Sequence, residues 1–177
     1  MLKIYNTLTR KIEDLKPLEP DKVGIYTCGP TVYREVHIGN FRTYLGADIL
    51  RRVLIQNGFR VVHIKNITDV GHMRRSGDSD EQIDPIVQEA IAKGKTPQEI
   101  AQQFTDLYLK DEKKLNILPA TFCPKASDHI KEMIAIIEIL IDKKLAYEAD
   151  GNVYFEVKKF KNYGKLSGNT LDKMENL

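Results

Sequence analysis

Val23-Gly-Ile-Tyr-Thr-Cys-Gly-Pro-Thr-Val-Tyr33, followed after three residues by His37-Ile-Gly-Asn40, is the stretch whose reading decides the fold. Val23 to Thr27 is a short apolar run of the kind that forms a buried strand. The glycine- and proline-bearing turn after it ends that strand. From about Gly39 to Asn57 the apolar residues Leu45, Ile49, Val53 and Leu54 recur at helical spacing, and Gly58 is a natural stop. Arg60-Val-Val-His-Ile64 then reads as a second strand. Strand, helix and strand within this length make a βαβ unit, which predicts a parallel pair joined by a right-handed crossover. In an open α/β sheet, ligands bind in the crevice at the carboxyl end of such a strand. Here that turn gathers a thiol, glycines, hydroxyls and an imidazole.

The chain has 177 residues, enough for one substantial domain or a domain with an appendage. A net charge of +2, with Lys and Arg spread along the chain, gives no argument from charge alone for a nucleic-acid partner. The opening Met1-Leu-Lys-Ile-Tyr carries no signal-peptide pattern, and no apolar run is long enough to span a bilayer, so no membrane partner is expected. The two cysteines, Cys28 and Cys123, are far apart and form no Cys-x-x-Cys pair. That argues against a disulfide framework and for a reducing, cytoplasmic setting.

Beyond the second strand, the polar stretch Gly71 to Ile83 reads as a loop. Asp84-Pro85 caps and opens a short helix that ends at Gly94. Thr96-Pro-Gln-Glu99 is a capping box, and its helix is predicted to bury Ile100, Phe104, Leu107 and Tyr108 before stopping near Asn116. Ser127 is a good N-cap for the next helix. There Ile130, Met133, Ile134, Ile137, Leu140 and Ile141 form one stripe that reads as core. Asp150-Gly151, between Ala146-Tyr147 and Val153-Tyr-Phe-Glu-Val157, is a hairpin signal. The tail from Lys158 to Leu177 is charged, glycine-dotted and ends on no cap or stop.

His37 and Asn40 stand three apart at a helix start and therefore face the same side. Free N–H groups at a helix start welcome an anion, and Gly39 lets one approach the backbone. The set suits a nucleotide phosphate chain; equally, His37 can serve only as the helix cap. His37-Ile-Gly-Asn40 resembles the His-Ile-Gly-His signature of the class I aminoacyl-tRNA synthetases. The longer string Cys28-Gly-Pro-Thr-Val-Tyr-x-x-x-His-Ile-Gly-Asn-x-Arg42 resembles the cysteinyl-tRNA synthetase family in particular. So do Ile4-Tyr-Asn-Thr-Leu-Thr-Arg10, Asn66-Ile-Thr-Asp69, Leu115-Asn-Ile117, Asn152-Val-Tyr-Phe155 and Tyr163-Gly-Lys-Leu-Ser167. The likeness thus runs in order along nearly the whole chain.

The resemblance implies a Rossmann-type parallel sheet, with residues 1–120 as the first half of a nucleotide-binding catalytic domain. Residues 121–177 would be a helix and hairpin leading into an inserted connective domain, the chain being truncated there. It implies ATP-dependent activation of cysteine to cysteinyl-adenylate and transfer to tRNA(Cys), with Mg²⁺ accompanying ATP, by a monomeric enzyme. His37 and Asn40 would be catalytic and bind the phosphates, with Gly39 on the adenine–ribose side. Gly29, Thr31 and Thr68 would line the amino-acid pocket. Cys28 would be one ligand of a zinc ion that takes the substrate thiolate. The family's other three zinc ligands and its Lys-Met-Ser-Lys-Ser signature lie in later sequence and do not occur here; Lys173-Met174-Glu175 is not that motif. Asn40 stands where the signature has its second His, so an acid role at that position is not expected. Gly71-His72-Met73 stands where many members have Asp-Asp-Lys, leaving His72 as an extra ligand or a solvated loop residue. The alternatives are a related ligase that joins cysteine to an amino-sugar, and a non-catalytic nucleotide-binding module.

Overall fold

The computed structural model describes residues 2–71, 74, 75 and 82–169. The chain divides into two compact units, Pro17–His129 and a second made of Met1–Lys16 with Ile130–Leu177. The second unit begins with an antiparallel hairpin, β1 (Lys3–Asn6) and β2 (Lys11–Asp14). An Asx turn starts its loop, with Asn6 Oδ1 accepting from the Leu8 N–H at 2.9 Å, and Arg10 adopts a positive φ of 61°. Nothing in the sequence reading anticipated this hairpin.

Pro17–His129 carries the βαβ unit. β3 (Lys22–Thr27) pairs parallel with β4 (Arg60–Lys65), in the register Val23 opposite Val61 through Thr27 opposite Lys65. Between them α1 runs over Ile38–Gln56, within a residue of its predicted limits, and Gly58 takes a φ of 86° just beyond it. The pairing continues past β3 as a bridge from Thr31 to Thr68. On the other side of β4, residues 121–126 run parallel to it. The Lys65 N–H donates to Phe122 O at 3.0 Å, and the Ile67 N–H to Pro124 O at 2.8 Å.

The buried face of α1 differs from the predicted one. Phe41, Tyr44, Asp48 and Leu54 are inside, while Ile49 and Val53 are 61% and 38% exposed. The reason is a polar anchor. Asp48 accepts from the Leu118 N–H at 2.9 Å and from Arg52 Nε at 2.7 Å, so a carboxylate holds a position that an apolar count assigns to solvent. The segment after Val70 also differs from a plain loop, since β5 (Arg74–Arg75) and β6 (Gln82–Ile83) pair antiparallel.

The helices that follow obey their end signals. α2 (Pro85–Lys93) is capped by Asp84 and closed by Gly94 in the left-handed region. α3 (Pro97–Lys114) has both bonds of the Thr96–Glu99 capping box. Ile86 and Ala90 of α2 meet Ile100, Ala101 and Phe104 of α3 over Val32 and Ile67, one contiguous core. Burying each large side chain here contributes roughly 1.5–3 kcal/mol.

In the second unit, α4 (Ile130–Asp142) is followed by the predicted hairpin, β7 (Ala146–Ala149) and β8 (Asn152–Phe155). Asp150 and Gly151 both take positive φ, 51° and 73°, as a tight two-residue turn requires. Two expectations fail nearby. Ser127 does not cap α4: it lies within a 3₁₀ turn, Ala126–His129, and its N–H and hydroxyl both go to the Asp69 carboxylate. The α4 stripe is not core either, for α4 contains no buried residue. Ile130, Met133 and Ile134 are 43%, 42% and 50% exposed. The described residues put no layer over it.

Candidate functional site

The end of β3 opens into a cavity of about 170 Å³ lined by Gly29, Thr31, His37, Asn40 and Tyr44, among others. Four of the sequence-predicted residues therefore share one wall. Cys28 is exposed beside it, next to Gly29. Thr68 stands behind Thr31, across the parallel bridge that carries Thr68 N–H to Pro30 O at 3.0 Å and Val32 N–H to Thr68 O at 3.1 Å.

His37 is the N-cap of α1 in extended backbone, and its Nδ1 accepts from the Gly39 N–H at 3.1 Å. That bond places the proton of a neutral imidazole on Nε2, leaving a donor that is not used by the cap. The ring also explains Gly39: a Cβ there would come within 2.9 Å of His37 Cε1. Asn40 lies one turn on, and Tyr44 one turn further, so all three occupy one face of the helix.

The turn before the helix is held by Asn66. Its Oδ1 accepts from the Gly29 N–H at 3.1 Å and from the Tyr26 hydroxyl at 3.0 Å, and its Nδ2 donates to Thr68 Oγ1 at 3.1 Å. Gly29 passes so close to the Asn66 backbone that a Cβ would lie 1.8 Å from its carbonyl oxygen. No other residue fits at Gly29 without moving the strand end.

Beneath the cavity lies a buried ion pair, Lys65 of β4 with Glu112 of α3, whose side chains are 2% and 6% exposed. The Lys65 ammonium sits 5.1 Å from the centre of the Tyr44 ring and 5.6 Å from that of Tyr108. Burial, then the Glu112 charge, then Cys28 push the Tyr44 hydroxyl up to about 12, so it remains a neutral donor at the cavity wall. Burial and Glu112 likewise hold the Tyr108 hydroxyl far above its ordinary range. His63 hydrogen-bonds Thr27 Oγ1 at 2.9 Å; burial, and then the Lys65 charge, lower its pKa and keep the ring neutral. Burial also raises the Cys123 thiol, despite its partial exposure, which suits a quiet thiol.

Tyr44 and the Lys65–Glu112 pair carry no expectation from the sequence, and Asn66 figures there only within the family likeness, with no role. Tyr44 had a signal, its four-residue spacing from Asn40. Glu112 had one too, being four residues beyond Tyr108 on the buried face of α3. Among the described residues there is no group of three or more His, Cys, Asp or Glu able to hold a metal ion. Cys28 is a single thiol, and tetrahedral zinc needs three or four protein ligands. These residues alone do not fit a zinc site. His72 and Lys173-Met174-Glu175 lie outside the described residues.

Residues 14–177 match the family described as tRNA synthetases class I (C) catalytic domain. The chain belongs to that family. It is 47% identical over 172 residues to a protein named Cysteine–tRNA ligase from Methanococcus maripaludis strain C6, covering 97% of this chain and 34% of that protein. A protein of the same name from Lactobacillus helveticus is 44% identical over 174 residues, covering 98% and 34%. The chain thus spans about a third of the length of the curated relatives it matches. Among solved structures, the agnB2 LeuRS of Agrobacterium radiobacter K84, in its ternary complex with tRNA and LeuAMS, aligns with a TM-score of 0.57 at 21% identity, over 76% of this chain and 16% of that one. That likeness shows the fold: a class I synthetase catalytic domain built on a parallel sheet. No helix among the described residues is long and apolar enough to cross a membrane.

Proposed function

We propose that the cavity at the end of β3 handles cysteine and ATP in a cysteine–tRNA ligase that carries this chain together with the remaining length of its relatives. The observation that carries the reading is the meeting of His37, Asn40 and Tyr44 on one face of α1 with Gly29 and Thr31 in a single cavity. The cysteine carboxylate oxygen attacks the α-phosphorus of ATP, the bond from that phosphorus to the bridging oxygen breaks, and pyrophosphate leaves. A ribose hydroxyl of the 3′ adenosine of tRNA(Cys) then attacks the carbonyl carbon of the adenylate, the bond from that carbon to the phosphate oxygen breaks, and AMP leaves. No protein nucleophile is required; the work is positioning and charge stabilisation. His37 Nε2–H and the Asn40 amide are the donors for the phosphates, which travel with Mg²⁺, and Gly39 lies toward the adenine–ribose side. Gly29, Thr31 and Thr68 receive the amino acid. Cys28 supplies one ligand to a zinc ion whose other ligands come from the relatives' remaining length. Residues to about 120 form the first half of the nucleotide-binding domain, and those from 121 lead into a connective insertion. The enzyme works as a monomer in the cytoplasm.

Cysteine-dependent exchange of pyrophosphate into ATP, followed by charging of tRNA(Cys), tests this. Both are expected in the complete enzyme. Exchange with transfer to an amino-sugar and none to tRNA would move the assignment to the related ligase; no exchange would leave only a nucleotide-binding module.

A further inference from the structure

The Asn66-Ile-Thr-Asp69 segment is part of the family likeness, yet none of the roles assigned above uses Asn66. Its amide is partly buried and makes three hydrogen bonds. The oxygen takes two donors, one from the Gly29 backbone and one from the Tyr26 side chain, and the nitrogen gives to Thr68 Oγ1. One planar group therefore ties the end of β3, the turn that carries Cys28, and the hydroxyl that follows β4. Only an amide offers an acceptor and a donor in this fixed fork; a hydroxyl is too short and a carboxylate lacks the N–H. The backbone of Asn66 completes the arrangement, since its carbonyl oxygen leaves Gly29 no room for a side chain. None of these hydrogen bonds goes to His37 or Asn40: His37 caps α1, and Asn40 lies in its first turn.

We infer that Asn66 is the positioning residue of the amino-acid side of the site: it fixes Gly29 against Thr68 and so sets the pocket that receives cysteine, independently of the phosphate side. This rests on the reading of the cavity given above. The two sides are separable in the structure, because one hangs on an amide clamp between strand ends and the other on a helix cap.

The test is steady-state pyrophosphate exchange by the complete enzyme, unaltered and with Asn66→Ala, titrating cysteine and ATP separately. Asn66→Ala is expected to raise the KM for cysteine about tenfold or more, the size of one well-placed hydrogen bond lost from a binding geometry. The KM for ATP should stay within about twofold, because the helix cap is untouched. Tyr26→Phe removes one of the two bonds to the same oxygen at an exposed side chain, and should raise the cysteine KM by about two- to threefold. Equal changes for cysteine and ATP, or an unchanged cysteine KM, in Asn66→Ala would overturn the inference. If that variant does not fold, an unchanged cysteine KM in Tyr26→Phe would do the same. Absence of exchange in the unaltered enzyme would remove the reading of the cavity and this inference with it, an outcome distinct from the others.

Discussion

Two helices of this chain carry apolar stripes at the same period and meet opposite fates. In α3, Ile100 is 0% exposed and Phe104 6%, closed over by α2 and by Val32 and Ile67. In α4, within the other unit, the stripe residues Ile134 and Ile137 are 50% and 39% exposed, and no residue is buried. The stripe of α4 is the more apolar of the two. The strength of a stripe thus states what the side chains require, whereas burial depends on whether another element lies across it. What distinguishes the well-packed unit is its polar interior, in which a lysine, two carboxylates and a histidine all find partners.

The sharpest test of that polar interior is Glu112→Gln. It leaves the Lys65 ammonium buried against two tyrosine rings without its carboxylate, and breaking such a pair costs about 3–5 kcal/mol. Urea unfolding followed by far-UV circular dichroism should register the loss, and Lys65→Met combined with Glu112→Leu should recover most of it. A Glu112→Gln loss below about 1 kcal/mol, the scale of an exposed pair, would show that the pair does not act as a buried one. The order of Pro17–His129 would then rest on its apolar clusters and the Asp48 anchor rather than on this pair.

A smaller effect is expected at the site itself. In the complete enzyme, His37→Ala should slow adenylate formation by about 10²–10³, the loss of one donor aimed at developing charge. Calorimetry should find cysteine binding nearly unchanged, since the imidazole lies on the α1 side of the cavity. An undiminished exchange rate would reduce His37 to the cap that its Nδ1 visibly forms.

The elements most legible in the sequence are those with local punctuation. Asp84, and Thr96 with Glu99, fix helix starts through side-chain caps, while Gly94 and Asp150-Gly151 fix a stop and a turn through positive φ, all at the expected positions. The parallel pairing of β3 with β4 followed from connection length alone. What stayed hidden depended on partners distant in sequence. Asp48 is inside because Leu118, seventy residues on, donates to it. Ser127 is turned away from α4 because Asp69 holds it. Residues 121–126 join the sheet through backbone bonds to β4 that no side-chain pattern announces. At the site, the residue types at Gly29, Thr31, His37 and Asn40 were readable from spacing and family likeness, whereas the clamp at Asn66 needed the three distances that define it.

The smallest expected effect bears most directly on the contrast between the two helices. Ile134 lies on the α4 stripe and is 50% exposed. Ile and Ser have similar helix propensities, so Ile134→Ser changes little but the apolar surface. With nothing over that surface among the described residues, the stability change should stay within about 0.5 kcal/mol, as at ordinary surface positions. Phe104→Ala in α3 provides the opposite pole, at about 3–5 kcal/mol for an aromatic deleted from a packed core. The chain contains no Trp, so both unfolding curves are best read by far-UV circular dichroism at matched protein concentration. Matched concentration matters because an exposed apolar helix face invites association, and association would bury Ile134 and inflate its apparent cost as the protein is concentrated. A loss above about 2 kcal/mol for Ile134→Ser that persists on dilution would mean that the stripe is covered within a single chain in solution. In that case the contrast between α3 and α4 drawn from their exposures would not hold.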